Sequence, residues 1–220
     1  MPSTLQPLGA GFFPLISAAA QALEARLDDD VVTRIATWLD LVVTWNAKVD
    51  LTAARSAEEL VDLMLADALV LARHEKPGKN VVDVGSGAGG PGLALHLARP
   101  DLAMTLVEPL QKRVSFLRTV SGNLTLGAEG GSLRIVRARA DDLLRSGATF
   151  ATAVSRATLP PEEWLRLAAR LVVPEGGMWA RLAREPPPKL AGWQTEIEEK
   201  YRWPLTGAER RALRYVRTER

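Results

Sequence analysis

The run Val81-Val82-Asp83-Val84-Gly85-Ser86-Gly87-Ala88-Gly89-Gly90 constrains the fold more than any other stretch of the chain. A short apolar segment with one embedded acid reads as a buried parallel strand. The glycines that follow force a tight turn and leave bare backbone N–H groups where a ligand can approach. Pro91 suits the first turn of a helix, so the sequence from 91 to 98 reads as a helix that starts there. Strand, glycine loop and helix N-terminus in that order make a nucleotide-type site. Glu108 closes the next apolar run, Met104-Thr105-Leu106-Val107. It lies 18 residues past Gly90, near the spacing of about 20 at which an acid grips a ribose.

From Val81 onward, strand and helix patterns alternate. Strands are expected at 81–84, 104–107, 133–136, 150–154 and 178–182, with helices at 91–98, 110–123, 141–144 and 161–171. Such alternation predicts an α/β fold, a Rossmann-like doubly wound parallel sheet with right-handed crossovers. Two further strands, 196–203 and 212–218, are joined by a short loop and read as an antiparallel pair. Pro186-Pro187-Pro188 reads as a turn or short linker.

The first part of the chain is helical by its spacing. Leu15, Ala19, Ala22, Leu23 and Leu27 recur every three or four residues, and so do Val31, Ile35, Trp38, Leu39, Val42 and Trp45 after the capping candidate Asp28-Asp29-Asp30. A third amphipathic helix is expected from Glu58 to Arg73, ended by Pro77-Gly78. Residues 1–76 therefore read as an N-terminal helical extension and 77–220 as the sheet domain.

Composition narrows the function classes. The chain of 220 residues is 47% hydrophobic, enough for a packed core. No run of about 18 apolar residues is present, so no membrane span is expected. No basic segment precedes an apolar one at the N-terminus, so no signal peptide is expected either. With no cysteine, disulfides, thiolate metal sites and cysteine nucleophiles are excluded. His74 and His96 have no acid cluster beside them and read as solvated surface or loop residues rather than metal ligands. Net charge is only +2, but residues 200–220 hold seven basic side chains against two acids. Such an end binds a polyanion such as RNA, or forms a solvated charged face.

Two ligand classes share the predicted architecture, S-adenosyl-L-methionine and the nicotinamide dinucleotides. Asp83 precedes the first glycine by two residues in an Asp-x-Gly-x-Gly-x-Gly arrangement, placed to organise the loop or to face an ammonium group. Dinucleotide enzymes must instead leave room there for a pyrophosphate. Asp141-Asp142 follows the third strand, where acids face an adenine or cap a helix. Neither Tyr201 nor Tyr215 is followed four residues later by Lys, so the usual short-chain dehydrogenase pair is missing. The methyl donor is favoured. The fourth strand ends in Ser155-Arg156-Ala157, which is not the Asn/Asp-Pro-Pro-aromatic motif of exocyclic amino methyltransferases. A substrate atom that is already nucleophilic fits best. Guanine N7 keeps an exposed lone pair and loses no proton, so its reaction needs placement more than a general base.

These residues resemble one family, the RsmG (GidB) methyltransferases. The resemblance runs from about Trp38 to the C-terminus. It rests on Trp45-Asn46 with Leu51-Thr52, on Asp83 through Gly89 with Pro91-Gly92, on Glu108, and on Lys112-Arg113-Val114 with Phe116-Leu117-Arg118. Arg139-Ala140-Asp141 and Ser155-Arg156-Ala157 complete it. The resemblance implies a class I methyltransferase domain with an N-terminal helical extension. It also implies a cytoplasmic enzyme that transfers methyl from S-adenosyl-L-methionine to guanine N7 of 16S rRNA, with the rRNA or the small ribosomal subunit as partner; a monomer is favoured. Carried over by position, Asp83, Gly85, Ser86, Gly87, Gly89 and Gly90 belong to the cofactor loop and Glu108 holds the ribose. Ala140 and Asp141 flank adenine, and Arg156 stands beside cofactor and base as the catalytic candidate. Lys112 and Arg113 line the cofactor side or the RNA path, or are simply exposed. Several positions depart from the family pattern. Gly90 replaces an aromatic or aliphatic residue and is expected to remove an apolar wall of the pocket. Met64-Leu65-Ala66-Asp67-Ala68 replaces His-x-x-Asp-Ser, and Asp50 replaces the Asn of Asn-Leu-Thr. A Lys-Gly pair after the fifth strand is absent, with Arg181 or Arg184 as substitutes. These departures keep two other readings open: a paralogue acting on another RNA or a small molecule, and a cofactor-binding protein without transfer activity.

Overall fold

Side-chain alternation along the strands builds the layers. In the computed structural model, which describes residues 5–76, 79–126, 132–156 and 159–218, successive residues of one strand enter opposite apolar clusters. Val81, Met104, Val154 and Trp179 face one side of the sheet, and Val82, Val107, Ala153 and Met178 face the other. Pro77-Gly78, Ala157, Glu219 and Arg220 lie outside the described residues.

A single turn at Gly9–Phe12 leads into α1 (Phe13–Ala22) and α2 (Asp29–Val49), followed by α3 (Ala57–Val61), a π-helical turn (Asp62–Ala66) and α4 (Asp67–Ala72). Then come β1 (Asn80–Val84), α5 (Gly92–Ala98), β2 (Ala103–Val107), α6 (Gln111–Asn123), β3 (Leu133–Val136), α7 (Ala140–Arg145), β4 (Phe150–Ser155) and α8 (Pro161–Ala168). The chain finishes with β5 (Val172–Leu182), β6 (Trp193–Arg202) and β7 (Glu209–Arg217). The strands form one seven-stranded sheet in the order β3-β2-β1-β4-β5-β7-β6. The first five are parallel neighbours, whereas β7 pairs antiparallel with both β5 and β6. The sheet is thus mixed, because the predicted antiparallel pair joins the parallel sheet through its second member. α1 to α6 share the first apolar cluster and α7 and α8 the second, giving three layers.

Several boundaries differ from expectation. β5 starts at Val172 rather than at 178, and α8 stops at Ala168. Val172 pairs with Phe150 and Gly177 with Thr152, so an irregular stretch of extra residues lengthens the strand there. α1 ends at Ala22, where Glu24 takes a φ of 53°. The helix expected from 58 to 73 is present as one uninterrupted run from Ala57 to Ala72, but its centre widens into the π turn, where Asp62, Leu63 and Asp67 give their polar groups to distant partners. Asp28 sits at the N-cap position of α2 but makes no side-chain cap bond. Asp29 and Asp30 meet the helix dipole from the first turn instead. α2 ends at Asp50 with a left-handed φ of 54°, a conformation that Asp shares with Asn. The Asn46 carboxamide closes this turn, accepting from Leu51 N at 2.7 Å and Thr52 N at 2.8 Å.

His96 is buried and His74 only partly exposed, so neither is the freely solvated residue expected. His96 is 3% exposed on α5, and burial holds its pKa below the ordinary value. The His74 Nε2 lies 2.6 Å from Glu199, and its ring packs against Trp179. Among the described residues no helix is long and apolar enough to cross a membrane.

Candidate active site

The glycine loop leaves the carboxyl end of β1 and is pinned from three sides. Gly85 N and Ser86 N both donate to Val107 O of β2, at 2.8 and 3.1 Å. The Ser86 hydroxyl donates back to Asp83 O at 2.9 Å. Trp38 of α2 reaches over with its indole N–H to Ala88 O at 2.9 Å. Gly85, Gly87 and Gly89 have φ values of 78°, 54° and 109°, which side-chain-bearing residues rarely adopt.

Two carboxylates frame this loop. Asp83 is fully buried, and its Oδ2 accepts from Gly92 N at 3.1 Å. Gly92 is obligatory at that approach, since a Cβ there would fall 2.6 Å from Asp83. The second oxygen, Oδ1, is buried with no hydrogen-bond partner. Burial pushes the Asp83 carboxyl up to about 6, against the pull of Arg181, the Gly92 N–H and Arg156. Glu108 is only 2% exposed. Its Oε2 accepts from Gly87 N and its Oε1 from Leu110 N, both at 2.9 Å. The acid expected to hold a ribose therefore ties the loop to the end of β2. Leu110, next to it, is 54% exposed.

The adenine-side pair divides its labour. Ala140 and Asp141 open α7, and Asp141 is exposed in its first turn. Asp142 is the cap, its Oδ2 accepting from Arg139 N at 3.0 Å. On α6, Lys112 is exposed, and Arg113 donates to Asp50 O at 2.9 Å.

Arg156 follows β4 and joins the loop to a second feature. Its Nη1 hydrogen-bonds Leu63 O in the π turn. A Cβ on Gly90 would come within 3.2 Å of that Nη1, 3.1 Å of Met64 O and 3.2 Å of Met64 Cα. Gly90 thus opens no gap in the pocket wall, which corrects the expectation. Met64 main chain and the Arg156 guanidinium fill the space that a larger residue would claim. Burial and the neighbouring Arg181 lower the Arg156 pKa to about 10, so it stays charged at neutral pH.

Arg156 also lines a cleft of about 340 Å³ beyond the carboxyl ends of β4 and β5. Its floor is a buried network. Arg181 pairs with Asp67 at 3.1 Å, their side chains 5% and 7% exposed, and it also donates to Ser155 O. Asp67 accepts further from Tyr201 Oη at 2.8 Å and Trp203 Nε1 at 3.1 Å. Arg181, not the exposed Arg184, occupies the interior. The sequence marks Arg181 only as a substitute for an absent Lys, and it gives Asp67, Trp38 and Leu63 no site role. Trp38 reads as one more member of an apolar stripe, and a backbone carbonyl leaves no mark in the sequence. Three residues of the C-terminal basic run are ion-paired: Arg202 with Glu209 at 2.9 Å, Arg211 with Glu198 at 3.3 Å, and Arg214 with Glu196. Arg210 stacks 3.9 Å over Trp203, and Arg217 lies 5.0 Å over Trp193.

Known proteins resemble this chain throughout. A family model described as GidB, rRNA small subunit methyltransferase G, matches residues 32–198. Ribosomal RNA small subunit methyltransferase G of Anaeromyxobacter dehalogenans (strain 2CP-1 / ATCC BAA-258) is 34% identical over 179 residues, 81% of each chain. The protein of the same name from Myxococcus xanthus (strain DK1622) is 30% identical over 215 residues, 94% of this chain and 98% of that one. Among solved structures, a MtNAS mutant in complex with S-adenosylmethionine superposes with a TM-score of 0.56 at 14% identity, covering 96% of this chain and 92% of that one. A putative methyltransferase, yhhF from Escherichia coli, gives 0.50 at 16% identity, covering 65% and 80%. At such identities the structural likeness is one of fold, and it agrees with a class I methyltransferase domain carrying N-terminal helices. The sequence relatives go further, and by them the chain belongs to the GidB family, the rRNA small subunit methyltransferase G proteins.

Proposed function

We propose that this protein methylates guanine N7 in 16S rRNA with S-adenosyl-L-methionine, acting on the small ribosomal subunit as a cytoplasmic monomer. The observation that carries the reading is the position of Arg156, which lies beside the glycine loop at Gly90 and lines the adjoining cleft. A donor over β1 and an acceptor over β4 and β5 then meet at one residue.

The residues present fit the cofactor. The orphaned Asp83 Oδ1 is an acceptor waiting for a cationic donor, and the ammonium of S-adenosyl-L-methionine is one. The loop N–H groups, the spare lone pairs of Glu108 and the start of α7 at Ala140 and Asp141 supply the remaining contacts. When bound, S-adenosyl-L-methionine would supply an electrophilic sulfonium methyl whose leaving group, the sulfur, keeps the bonding electrons. The protein's part is placement. No proton leaves N7, so the site requires no general base, and Arg156 orients the base edge next to the loop.

The test is transfer of labelled methyl to small subunits lacking the N7 mark, followed by chemical cleavage at 7-methylguanine. Label at a single guanine is expected. No label, with S-adenosylhomocysteine binding intact in the same preparation, removes the rRNA reading and leaves a paralogue with another substrate.

A further inference from the structure

The cleft beyond β4 and β5 has two described carboxylates in its lining, and their situations differ. Asp67 already accepts from Arg181, Tyr201 and Trp203. Glu185 follows β5 at the outer rim. One of its oxygens accepts from Ala183 N at 2.7 Å, and its backbone carbonyl is held by Arg211 at 2.8 Å. The turn's own N–H groups keep this carboxyl below the ordinary range, so it is ionised at neutral pH. The cationic groups of the lining are committed elsewhere: Arg156 to Leu63 O, Arg181 to Asp67, and Arg210 to the Trp203 ring. Leu159, 37% exposed, offers an apolar surface at the mouth. At about 340 Å³ the cleft is of small-molecule size and takes a flat heterocycle.

We propose that Glu185 is the specificity-determining residue of this cleft, accepting N1–H and the 2-amino group of a guanine whose N7 faces the glycine loop beside Arg156. The inference rests on the guanine-N7 reading above and names how the base is chosen. Among the four RNA bases guanine alone sets two donors side by side on its pairing edge, and a carboxylate matches two parallel donors. Adenine, cytosine and uracil each place an acceptor there, which an ionised carboxylate repels. The purine ring carries N7 on the edge opposite N1. The order across the sheet, from the β1 loop through Arg156 after β4 to Glu185 after β5, matches that order of donor, N7 and pairing edge.

Methyl transfer to small subunits is measured with wild type, Glu185→Gln and Glu185→Asp. S-adenosylhomocysteine binding is measured alongside, and the accepting guanine is located by cleavage. Subunits are then reassembled with inosine, which lacks only the 2-amino group, at that position. The Gln variant is expected to lose about 10- to 100-fold in kcat/KM with unchanged S-adenosylhomocysteine affinity, the Asp variant retaining more. Inosine is expected to cost wild type a similar factor and to cost the Gln variant little more, because both changes remove the same contact. Wild-type transfer with an unaffected Gln variant overturns the assignment of Glu185 alone, as do losses from Gln and inosine that multiply independently. Absence of transfer by wild type itself, with cofactor binding intact, overturns the parent reading and this one with it.

Discussion

Asp83 holds a carboxylate where water does not reach, and only one of its oxygens is hydrogen-bonded. Its pKa rises from the ordinary 3.8 to about 6, so the folded protein holds this proton more tightly than the unfolded chain does. The stabilisation that the proton confers is present at low pH and is lost as pH rises through about 6. Asp83→Asn removes the titration. The stability difference between wild type and variant is expected to change by about 2.5 kcal/mol between pH 4 and pH 8, read from urea midpoints. A pH-independent difference would show that the carboxyl titrates normally. Cofactor affinity runs the other way: S-adenosylhomocysteine binding should strengthen as pH rises toward 7, because an ionised Asp83 meets the ammonium, and the Asn variant should lack that dependence. Glu108→Ala should weaken the same affinity by roughly 1–3 kcal/mol through the loosened loop, and calorimetry showing no change would remove Glu108 from the site. Arg156→Ala should lower kcat by about 100-fold or more while cofactor affinity holds, and a normal rate would end its positioning role. Asp83 and Glu108 stood out in the sequence because an acid beside glycines or at a strand end is conspicuous. That one oxygen of Asp83 is free, while both oxygens of Glu108 are spent on backbone N–H groups, depends on contacts with Gly92, Gly87 and Leu110.

At the scale of elements, the π turn Asp62–Ala66 departs most from its sequence pattern. Its apolar spacing is helical, yet its polar groups serve three strands. Asp62 accepts from Leu205 N, Thr206 N and Thr206 Oγ1 in the β6–β7 turn, Leu63 O accepts from Arg156, and Asp67 just beyond holds Arg181 of β5. A regular helix would rotate these groups away from their partners, so tertiary bonds outweigh local propensity here. The Asp67–Arg181 pair is buried, and breaking it from one side leaves an uncompensated charge. Asp67→Ala should cost about 3–5 kcal/mol, whereas replacing both members with apolar residues of similar size should recover most of that loss. Urea unfolding of the single and double variants checks it, and equal losses in both would show that the network's other members matter more. The irregular start of β5 was equally illegible. Val173, Pro174 and Glu175 carry no strand alternation, and Pro174 argues against a strand, yet pairing on both sides of the irregularity extends it.

Across the whole molecule, one apolar cluster runs from Phe12 and Ile16 of the first helices through Trp38 and Leu65 to Met104, Trp179 and Ala212 of the sheet. The N-terminal helices therefore have no separate core. Heating should give a single transition whose calorimetric and van't Hoff enthalpies agree, and two resolved transitions would show that the helices fold apart from the sheet. Charge is likewise balanced at this scale. The β6 acids Glu196 and Glu198 pair with β7 arginines, so the basic excess of the last residues is smaller on the surface than in the sequence. The sequence by itself determined the α/β class, the sheet's parallel core, the glycine loop and its two acids, and the family, because strand alternation, turn chemistry and motif order are local properties that survive without coordinates. Tertiary structure alone decided that Met64 and Arg156 fill the space beside Gly90, and that Trp38 anchors the loop. It also decided that Arg181 is an interior partner of Asp67, and that Glu185 and Arg156 line one cleft. Those contacts join residues tens of positions apart, and their geometry exists only once the layers close.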